Sequence, residues 1–202
     1  VFLRTAVEHA RRHLLAAPLL APQDWPLRVA VAITSTAAKE TGSSEGMKRT
    51  AQTSPYQAAW IETQEADLAV ARQAVLARDF ELAAAFHGFY NTQPMLVDDA
   101  GVRNARLALA LAAQPGLLYW NGATVEAIRC VRALRAQGVP VFFTNDAGPQ
   151  VKAVCEPQAL AQVTAALRQV PGVLDVVETG LGGGVHAIDE SLIPGLAEEQ
   201  AA

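Results

Sequence analysis

The chain has 202 residues, 51% of them hydrophobic, and a formal net charge of −4. A chain of this length can bury the core of one domain, and its acidic balance gives no basic field for nucleic acid or an anionic membrane surface. Its apolar runs fall short of the ~20 residues that a membrane span needs. Cys130 and Cys155 are too few for a disulfide framework, so we expect reduced thiols and a cytoplasmic protein.

Residues 1–22 are basic and rich in Ala and Leu, which predicts a helical segment of uncertain origin. Glu8 and the scarcity of serine argue against an organellar presequence. His9 and His13 lie four residues apart, a spacing that can hold a metal, but no third ligand lies nearby, so we expect solvated histidines and no metal. The chain begins with Val1, and we expect it to be a fragment or a processed piece.

The first strand pattern spans residues 27–36 and leads into a loop rich in hydroxyls and glycines just before a helix. Backbone N–H groups at a helix start, with hydroxyls beside them, favour an anion such as phosphate. The same pattern is equally compatible with Ser43 or Ser44 as a plain helix N-cap, which is the commoner role of serine before a helix.

After Pro55 the pattern is helical, and apolar residues recur at heptad-like spacing: Ile61, Leu68, Ala71 and Val75. Trp60 is compatible with a stacking platform for a ligand, although a large aromatic residue in an amphipathic helix more often belongs to the core. Residues 98–101 repeat an Asp-Ala-Gly theme without an apolar strand before it, and we interpret them as a solvated loop.

From Asn121, a predicted N-cap, to Gln137 the pattern is again helical, and Gly138 ends it. Cys130 lies among apolar neighbours in this helix and is predicted to be an inert core thiol. An apolar run at 139–143 then precedes the stretch of greatest interest.

That apolar run delivers a single carboxylate, Asp146, into a turn at 147–149, and a second β-like run at 151–154 follows. A carboxylate at the end of a buried strand lies where backbone N–H donors offset its desolvation and where a ligand can reach it. Asp, Gly and Pro also favour turns on their own account, so an ordinary surface turn is the alternative interpretation.

The last elements are a helix that begins at Pro157 and a strand at 173–177. The glycine-rich run at 180–184 has no helix pattern after it, which favours a flexible turn over a phosphate loop, and residues 190–202 are predicted to be a flexible tail. The order of strand, helices, hairpin, helix and strand predicts an α+β fold. Specifically, it is that of a ferredoxin-like (βαββαβ) two-layer sandwich, an antiparallel sheet with helices on one face.

In this order and spacing, the motifs resemble the C-terminal portion of mevalonate diphosphate decarboxylases, of the superfamily named for galactokinase, homoserine kinase, mevalonate kinase and phosphomevalonate kinase. The matching residues are Ser43-Ser44-Glu45-Gly46-Met47, Thr53-Ser54 and Asp146-Ala147-Gly148-Pro149. Supporting matches are Trp25-Pro26, Asp79-Phe80, Gln114-Pro115, Tyr119 and Gly138. The resemblance runs from Trp25 to Gly184, within a predicted substrate domain of residues 23–189.

The resemblance implies ATP-dependent decarboxylation of mevalonate 5-diphosphate to isopentenyl diphosphate, a lyase step of the mevalonate pathway in isoprenoid and lipid metabolism. Such enzymes use ATP and Mg2+ to phosphorylate the tertiary hydroxyl of the substrate, and loss of that phosphate and of CO2 gives the product. The full-length enzyme is expected to be a homodimer.

The resemblance also assigns the site. It places the essential aspartate at Asp146, as general base toward the hydroxyl or as its orienting partner, and the serine that contacts the diphosphate at Ser43. Met47 is expected to pack near the substrate and Ala147 to lend a main-chain contact. Ser44 and Lys39 are further candidates. An unperturbed Asp, with a pKa of ~3.9, is a weak base toward an alcohol, so geometry and charge placement must supply most of its effect.

Three departures from the family are visible. Arg106-Leu107-Ala108 stands where these enzymes carry Met-His-Ala, which puts the helical packing around 87–106 in doubt, and Gln150 replaces the usual Asn after the proline. The nucleotide loop, the diphosphate-gripping arginine and the substrate-contacting lysine belong to an N-terminal domain whose motifs this sequence lacks. We therefore expect ATP and Mg2+ to be bound mainly by that missing domain, and this chain to be inactive alone.

Two alternatives stay open. One is a related phosphomevalonate decarboxylase or a mevalonate-type kinase, which would share the fold. The other is a non-catalytic domain that binds phosphorylated ligands or a partner chain. The favoured interpretation requires that the Asp146 carboxyl and the Ser43 hydroxyl open onto a common cavity.

Overall fold

The computed structural model of the chain describes residues 19–84 and 110–183. Several predictions therefore lie outside the described residues. They are most of the N-terminal segment with its two histidines, the loop at 98–101, the divergent stretch at 106–108 and the tail.

Four strands form one antiparallel sheet: β1 (Arg28–Ile33), β2 (Val141–Thr144), β3 (Val151–Cys155) and β4 (Asp175–Gly180). Their order across the sheet is β2-β3-β1-β4, so β1, from early in the chain, lies between the later strands β3 and β4. In the centre, Ala30 of β1 lies opposite Ala153 of β3 on one side and Glu178 of β4 on the other. This order and direction confirm the ferredoxin-like α+β prediction.

The helices are α1 (Ser43–Thr53), α2 (Gln57–Ala77), α3 (Gly122–Ala136) and α4 (Leu160–Arg168), with a 3-10 turn at Pro157–Ala159 before α4. The predicted N-cap of α3 is confirmed. The Asn121 side chain accepts from the Thr124 backbone N–H, and the Thr124 hydroxyl accepts from the Asn121 N–H. Gly138, with φ of +85°, follows the end of α3, where a residue without Cβ adopts the left-handed region most easily.

The main core lies between the sheet and the helices α3 and α4. Val163 and Leu167 of α4 are fully buried, and β1 contributes the small side chains Ala30 and Ala32 to the same core. Burial of a large aliphatic side chain contributes about 1.5–3 kcal/mol relative to leaving it in water. Cys155 is buried in this core as well, and desolvation raises its pKa to about 11, so the thiol is neutral at physiological pH.

The helix predicted after Pro55 is present as α2, and two of its apolar residues, Ile61 and Leu68, are 56% and 60% exposed. The structure corrects the bounds of one strand. The last strand begins and ends later than predicted, since β4 pairs along the whole of β1, from Ile33 opposite Asp175 to Arg28 opposite Gly180. No helix within the two described ranges is long and apolar enough to cross a membrane.

Candidate functional site

A cavity of about 430 Å³ lies where α1, the start of α2, the segment before α3 and the turn after β2 meet. Its volume falls in the range of small-molecule pockets. The residues that line it are Ser43, Gly46, Met47, Thr50, Ala51, Gln57, Trp60, Ala110, Leu117, Tyr119, Trp120, Asn145, Asp146 and Ala147. The cavity thus brings Ser43 and Asp146, about a hundred residues apart in sequence, to one space.

The turn that carries Asp146 is anchored by hydrogen bonds at its far end. The carbonyl oxygen of Pro149 accepts from the hydroxyl of Thr34 at 2.8 Å and from that of Thr124 at 2.7 Å. The Gln150 side chain accepts from the Thr34 N–H at 2.6 Å and donates to the Ser35 carbonyl at 2.7 Å. The turn is therefore fixed both to the end of β1 and to the start of α3.

The Asp146 carboxylate is 71% exposed, and its Oδ2 accepts from Lys152 Nζ at 2.7 Å. The sequence suggested a carboxylate whose desolvation is offset by backbone N–H groups, whereas in the structure it pairs with the Lys152 cation and is exposed. Lys152 reaches it from β3, on the sheet face opposite the buried Val151 and Ala153. Because an exposed ion pair stabilises a fold by little, the consequence of this contact is mainly to orient the carboxylate.

Lys39 joins the two sides of the cavity mouth. Its Nζ donates to Ser43 Oγ at 3.0 Å and to the Ala147 carbonyl at 2.8 Å. One ammonium group therefore sits beside the serine, the turn and the first residues of α1. Met47 also lines the cavity and is 65% exposed, while Ser44 is exposed and is not among the lining residues.

The start of α1 is open to a ligand. Its N-cap is Gly42, which offers no side-chain cap, so neither Ser43 nor Ser44 is the N-cap that the simpler interpretation required. The first N–H groups of a helix lack partners within the helix and lie at the positive end of its dipole. Together with the Lys39 ammonium, this end of the cavity is suited to an anion.

Gly46 brings α1 against the cavity wall. A Cβ atom at this position would lie 2.2 Å from the Tyr119 hydroxyl oxygen and 3.3 Å from Leu117 Cδ1, so only glycine fits without a shift. The Tyr119 hydroxyl and the Asn145 Oδ1 are buried and have no hydrogen-bond partner among the described residues. The Asn145 Nδ2 donates to the Gln150 carbonyl at 3.0 Å, which identifies Oδ1 as the unpaired acceptor.

Trp60, for which the sequence left a stacking platform and a core position open, lines the cavity and is partly buried, which is compatible with both roles. Sequence reasoning did not find two other features of the site. Lys152 was not singled out within the predicted run at 151–154, and nothing in the sequence linked Tyr119 to Gly46. No group of three or more His, Cys, Asp or Glu side chains that could hold a metal ion occurs in the described part of the chain.

Known proteins resemble this chain both in sequence and in structure. A family model described as the mevalonate 5-diphosphate decarboxylase C-terminal domain matches residues 29–183. A structure of MDDEF in complex with MVAPP, AMPPCP and magnesium is 28% identical, with a TM-score of 0.62, over 78% of this chain and 44% of that one.

Two further structures give the same result. The mevalonate diphosphate decarboxylase from Enterococcus faecalis is 27% identical, with a TM-score of 0.58, over 78% of this chain and 43% of that one. The enzyme from Staphylococcus aureus, at 24% identity, supports the fold alone, with a TM-score of 0.65 over 81% and 46%. The chain thus spans about half the length of the solved structures it matches.

One curated protein gives a short match of a different kind. The arginine–tRNA ligase of Dechloromonas aromatica (strain RCB) is 48% identical over 50 residues, which is 25% of this chain and 8% of that protein. So small a share of the ligase shows no family relationship for the chain as a whole.

Proposed function

Because the chain belongs to the mevalonate 5-diphosphate decarboxylase C-terminal domain family, we propose that it is the substrate-side half of a diphosphomevalonate decarboxylase. The full-length enzyme would convert mevalonate 5-diphosphate to isopentenyl diphosphate with ATP. The observation that carries this proposal is the Lys39 bridge between Ser43 and Ala147, because an ammonium group beside the cavity that Asp146 lines suits an anionic substrate. A cytoplasmic location and a homodimeric full-length enzyme stay predictions.

In this proposal, the diphosphate lies at the start of α1, where Ser43, the free helix N–H groups and Lys39 supply hydrogen bonds and positive charge. Met47 and Ala147 pack beside the substrate at the same corner. The tertiary hydroxyl then points to Asp146, which orients it or accepts its proton. Lys152 holds the carboxylate in place through its 2.7 Å contact, so the Asp146 carboxylate is already oriented before the substrate binds.

The described residues do not suit ATP and Mg2+ by themselves. Asp146 is the one carboxylate among the cavity-lining residues, it already pairs with Lys152, and the described lining contains no lysine or arginine. Mg2+ prefers several oxygen ligands, and a nucleotide triphosphate needs more positive charge than Lys39 supplies. We therefore assign nucleotide and metal binding to the half of the enzyme that this chain does not cover.

The test uses the full-length enzyme with Asp146→Asn, which keeps the side-chain size and removes the negative charge. We expect kcat for CO2 release to fall by ~10²–10⁴-fold with a small change in KM, which is the usual contribution of a positioned acid or base. Asp175→Asn is the matched control, because Asp175 is an exposed carboxylate at the start of β4, away from the cavity, and should leave kcat unchanged. Full activity of Asp146→Asn would contradict the proposal.

Two comparisons separate the alternatives. Mevalonate 5-diphosphate should be turned over with a higher kcat/KM than the monophosphate, and CO2 should be released. A preference for the monophosphate, or phosphorylation without CO2 release, would indicate the sibling activities. The 202-residue chain alone should release no CO2 from substrate and ATP, and a chain that binds no phosphorylated ligand at all would favour a non-catalytic partner-binding domain.

A further inference from the structure

Lys152 is a charged residue at an inner position of the sheet. It belongs to β3, which pairs with β2 on one side and with β1 on the other, and it lies opposite Thr144 and Val31. Its side chain is only 33% exposed. Lysine is disfavoured in strands, and partial loss of the water around its ammonium group costs free energy. Because the pair with the exposed Asp146 carboxylate stabilises the fold by little, stability does not account for a lysine at this position.

The partner of Lys152 is the carboxylate that the proposed function places beside the reacting hydroxyl. The 2.7 Å contact is made to Asp146 Oδ2. A carboxylate has two acceptor oxygens, so this contact leaves Oδ1 for the single hydrogen of the tertiary hydroxyl. Asp146 lines the cavity and most of its side chain is exposed, so a ligand can reach that second oxygen while the ion pair stays intact.

The other contacts of the turn hold its backbone rather than its carboxylate. Two threonine hydroxyls donate to the Pro149 carbonyl, and Lys39 donates to the Ala147 carbonyl. An exposed aspartate can adopt several rotamers on a fixed backbone, and each rotamer directs its oxygens differently. Lys152 supplies a fixed point for one of these oxygens, because its strand is hydrogen-bonded on both sides and a strand positions a side chain more precisely than a loop does.

We propose that Lys152 is a positioning residue whose whole contribution to turnover passes through Asp146. It fixes Oδ2 and thereby selects Oδ1 as the oxygen that meets the substrate hydroxyl, and it makes no contact with the substrate itself. The inference rests on the proposed function and deepens it, because it gives the two lysines beside the turn separate tasks. Lys39 serves the anionic end of the ligand, whereas Lys152 serves the carboxylate of the protein.

The first test is Lys152→Met in the full-length enzyme, which keeps an unbranched apolar stem and removes the charge. We expect kcat for CO2 release to fall about 5–50-fold, with KM for mevalonate 5-diphosphate within about twofold, because only the geometry of the reacting groups is disturbed. Lys152→Arg retains a cation and should recover kcat to within about threefold. Arg129→Met is the matched control, since it removes an exposed 2.8 Å ion pair with Glu126 on α3, away from the cavity, and should leave kcat unchanged.

The second test asks whether Lys152 acts through Asp146. Residual turnover is measured as release of labelled CO2 from substrate that carries carbon-14 in its carboxyl group. In Asp146→Asn enzyme, adding Lys152→Met should change kcat by less than about twofold, because the contact that it removes is already lost.

Three results would overturn the positioning role: unchanged kcat in Lys152→Met, no recovery in Lys152→Arg, or a full additional loss in the double variant. The last result would mean that the lysine acts on the substrate or on the fold. Failure of the proposed function is a separate result, in which Asp146→Asn enzyme keeps its full turnover whatever residue occupies position 152.

Discussion

Two sides of this domain differ in how far their apolar side chains are buried. On the side of α3 and α4, Val163 and Leu167 are completely buried against the sheet. On the side of α1 and α2, large apolar residues lie in the open: Met47, Ile61, Leu68, Val70 and Leu76. Polar groups divide less sharply, because the Thr34 and Thr124 hydroxyls are hydrogen-bonded. The Tyr119 hydroxyl and Asn145 Oδ1 in the cavity wall have no partner among the described residues, and neither has the buried Thr164 hydroxyl in α4.

The comparison separates stability from function. The α3–α4 side has the close packing and hydrogen bonding that make a fold stable by itself. The α1–α2 side encloses the cavity, in whose wall the Tyr119 hydroxyl and Asn145 Oδ1 have no partner within the described part of the chain, and a buried polar atom of this kind is expected where a ligand completes the structure. The following substitutions test whether this division is real.

The largest effect is expected in the core of the α3–α4 side. Leu167→Ala removes a fully buried side chain and leaves a cavity, so the free energy of unfolding should fall by about 2–5 kcal/mol in urea titration. Leu68→Ala is the matched control on α2, where the side chain is 60% exposed and the change should stay within about 0.5 kcal/mol. Equal losses for the two variants would remove the distinction between the sides.

A smaller effect is expected where α1 meets the cavity wall. Gly46→Ala forces a methyl group onto the Tyr119 hydroxyl, and we expect a loss of about 1–3 kcal/mol from overpacking. Adding Tyr119→Phe should restore part of it, since the nearest remaining contacts of that methyl are at 3.3 and 3.5 Å. Gly122→Ala, with no atom within 4 Å of its Cβ position, should be neutral or slightly stabilising. No recovery in the double variant would show that the clash is not with the hydroxyl.

Thr124→Val tests the anchor of the turn that carries Asp146. It removes half of the capping box and one of the two hydroxyls on the Pro149 carbonyl, so we expect a loss of about 1–2 kcal/mol. Thr179→Val, at an exposed position of β4, is the control and should change little. If Thr124→Val changes neither the free energy of unfolding nor the amide resonance of Asp146, the Thr124 hydroxyl is not needed to anchor the turn.

The smallest effect concerns pH. Burial raises the pKa of Cys155 from 9.0 to about 11, so the folded state holds the thiol proton more tightly than the unfolded state does. The free energy of unfolding is therefore at its full value below pH 9 and falls as the pH rises toward 11, by about 1 kcal/mol at pH 10. Urea titrations at pH 8 and 10 measure it. Cys155→Ala should show a smaller drop between the two pH values, and an identical drop would refute the assignment.

Sequence reasoning recovered the elements whose cause is local. The Asn121 cap, the stop at Gly138 and the hairpin around Asp146 all follow from residues within a few positions of one another. The βαββαβ order then fixed the sheet. Within the site, the family resemblance pointed to Ser43 and Asp146, which the structure brings to one cavity.

What the sequence did not provide depends on distant contacts. An apolar periodicity shows which face of α2 is hydrophobic but does not show whether anything covers it, and in the structure Ile61 and Leu68 are exposed. The contact of Gly46 with Tyr119 and that of Lys152 with Asp146 depend on how separate elements pack. The ends of β4 were missed because its partner strand, rather than its own composition, determines them.

The Pro149 carbonyl joins three pieces of the chain at one oxygen: the hairpin, β1 through Thr34, and α3 through Thr124. None of the three can open at this point without releasing the others. We therefore expect them to unfold as one cooperative unit, in which the amides of Thr34 and Thr124 exchange with deuterium at the same rate-limiting opening. A domain connected in this way would keep the geometry of the Asp146 turn intact until the whole unit melts.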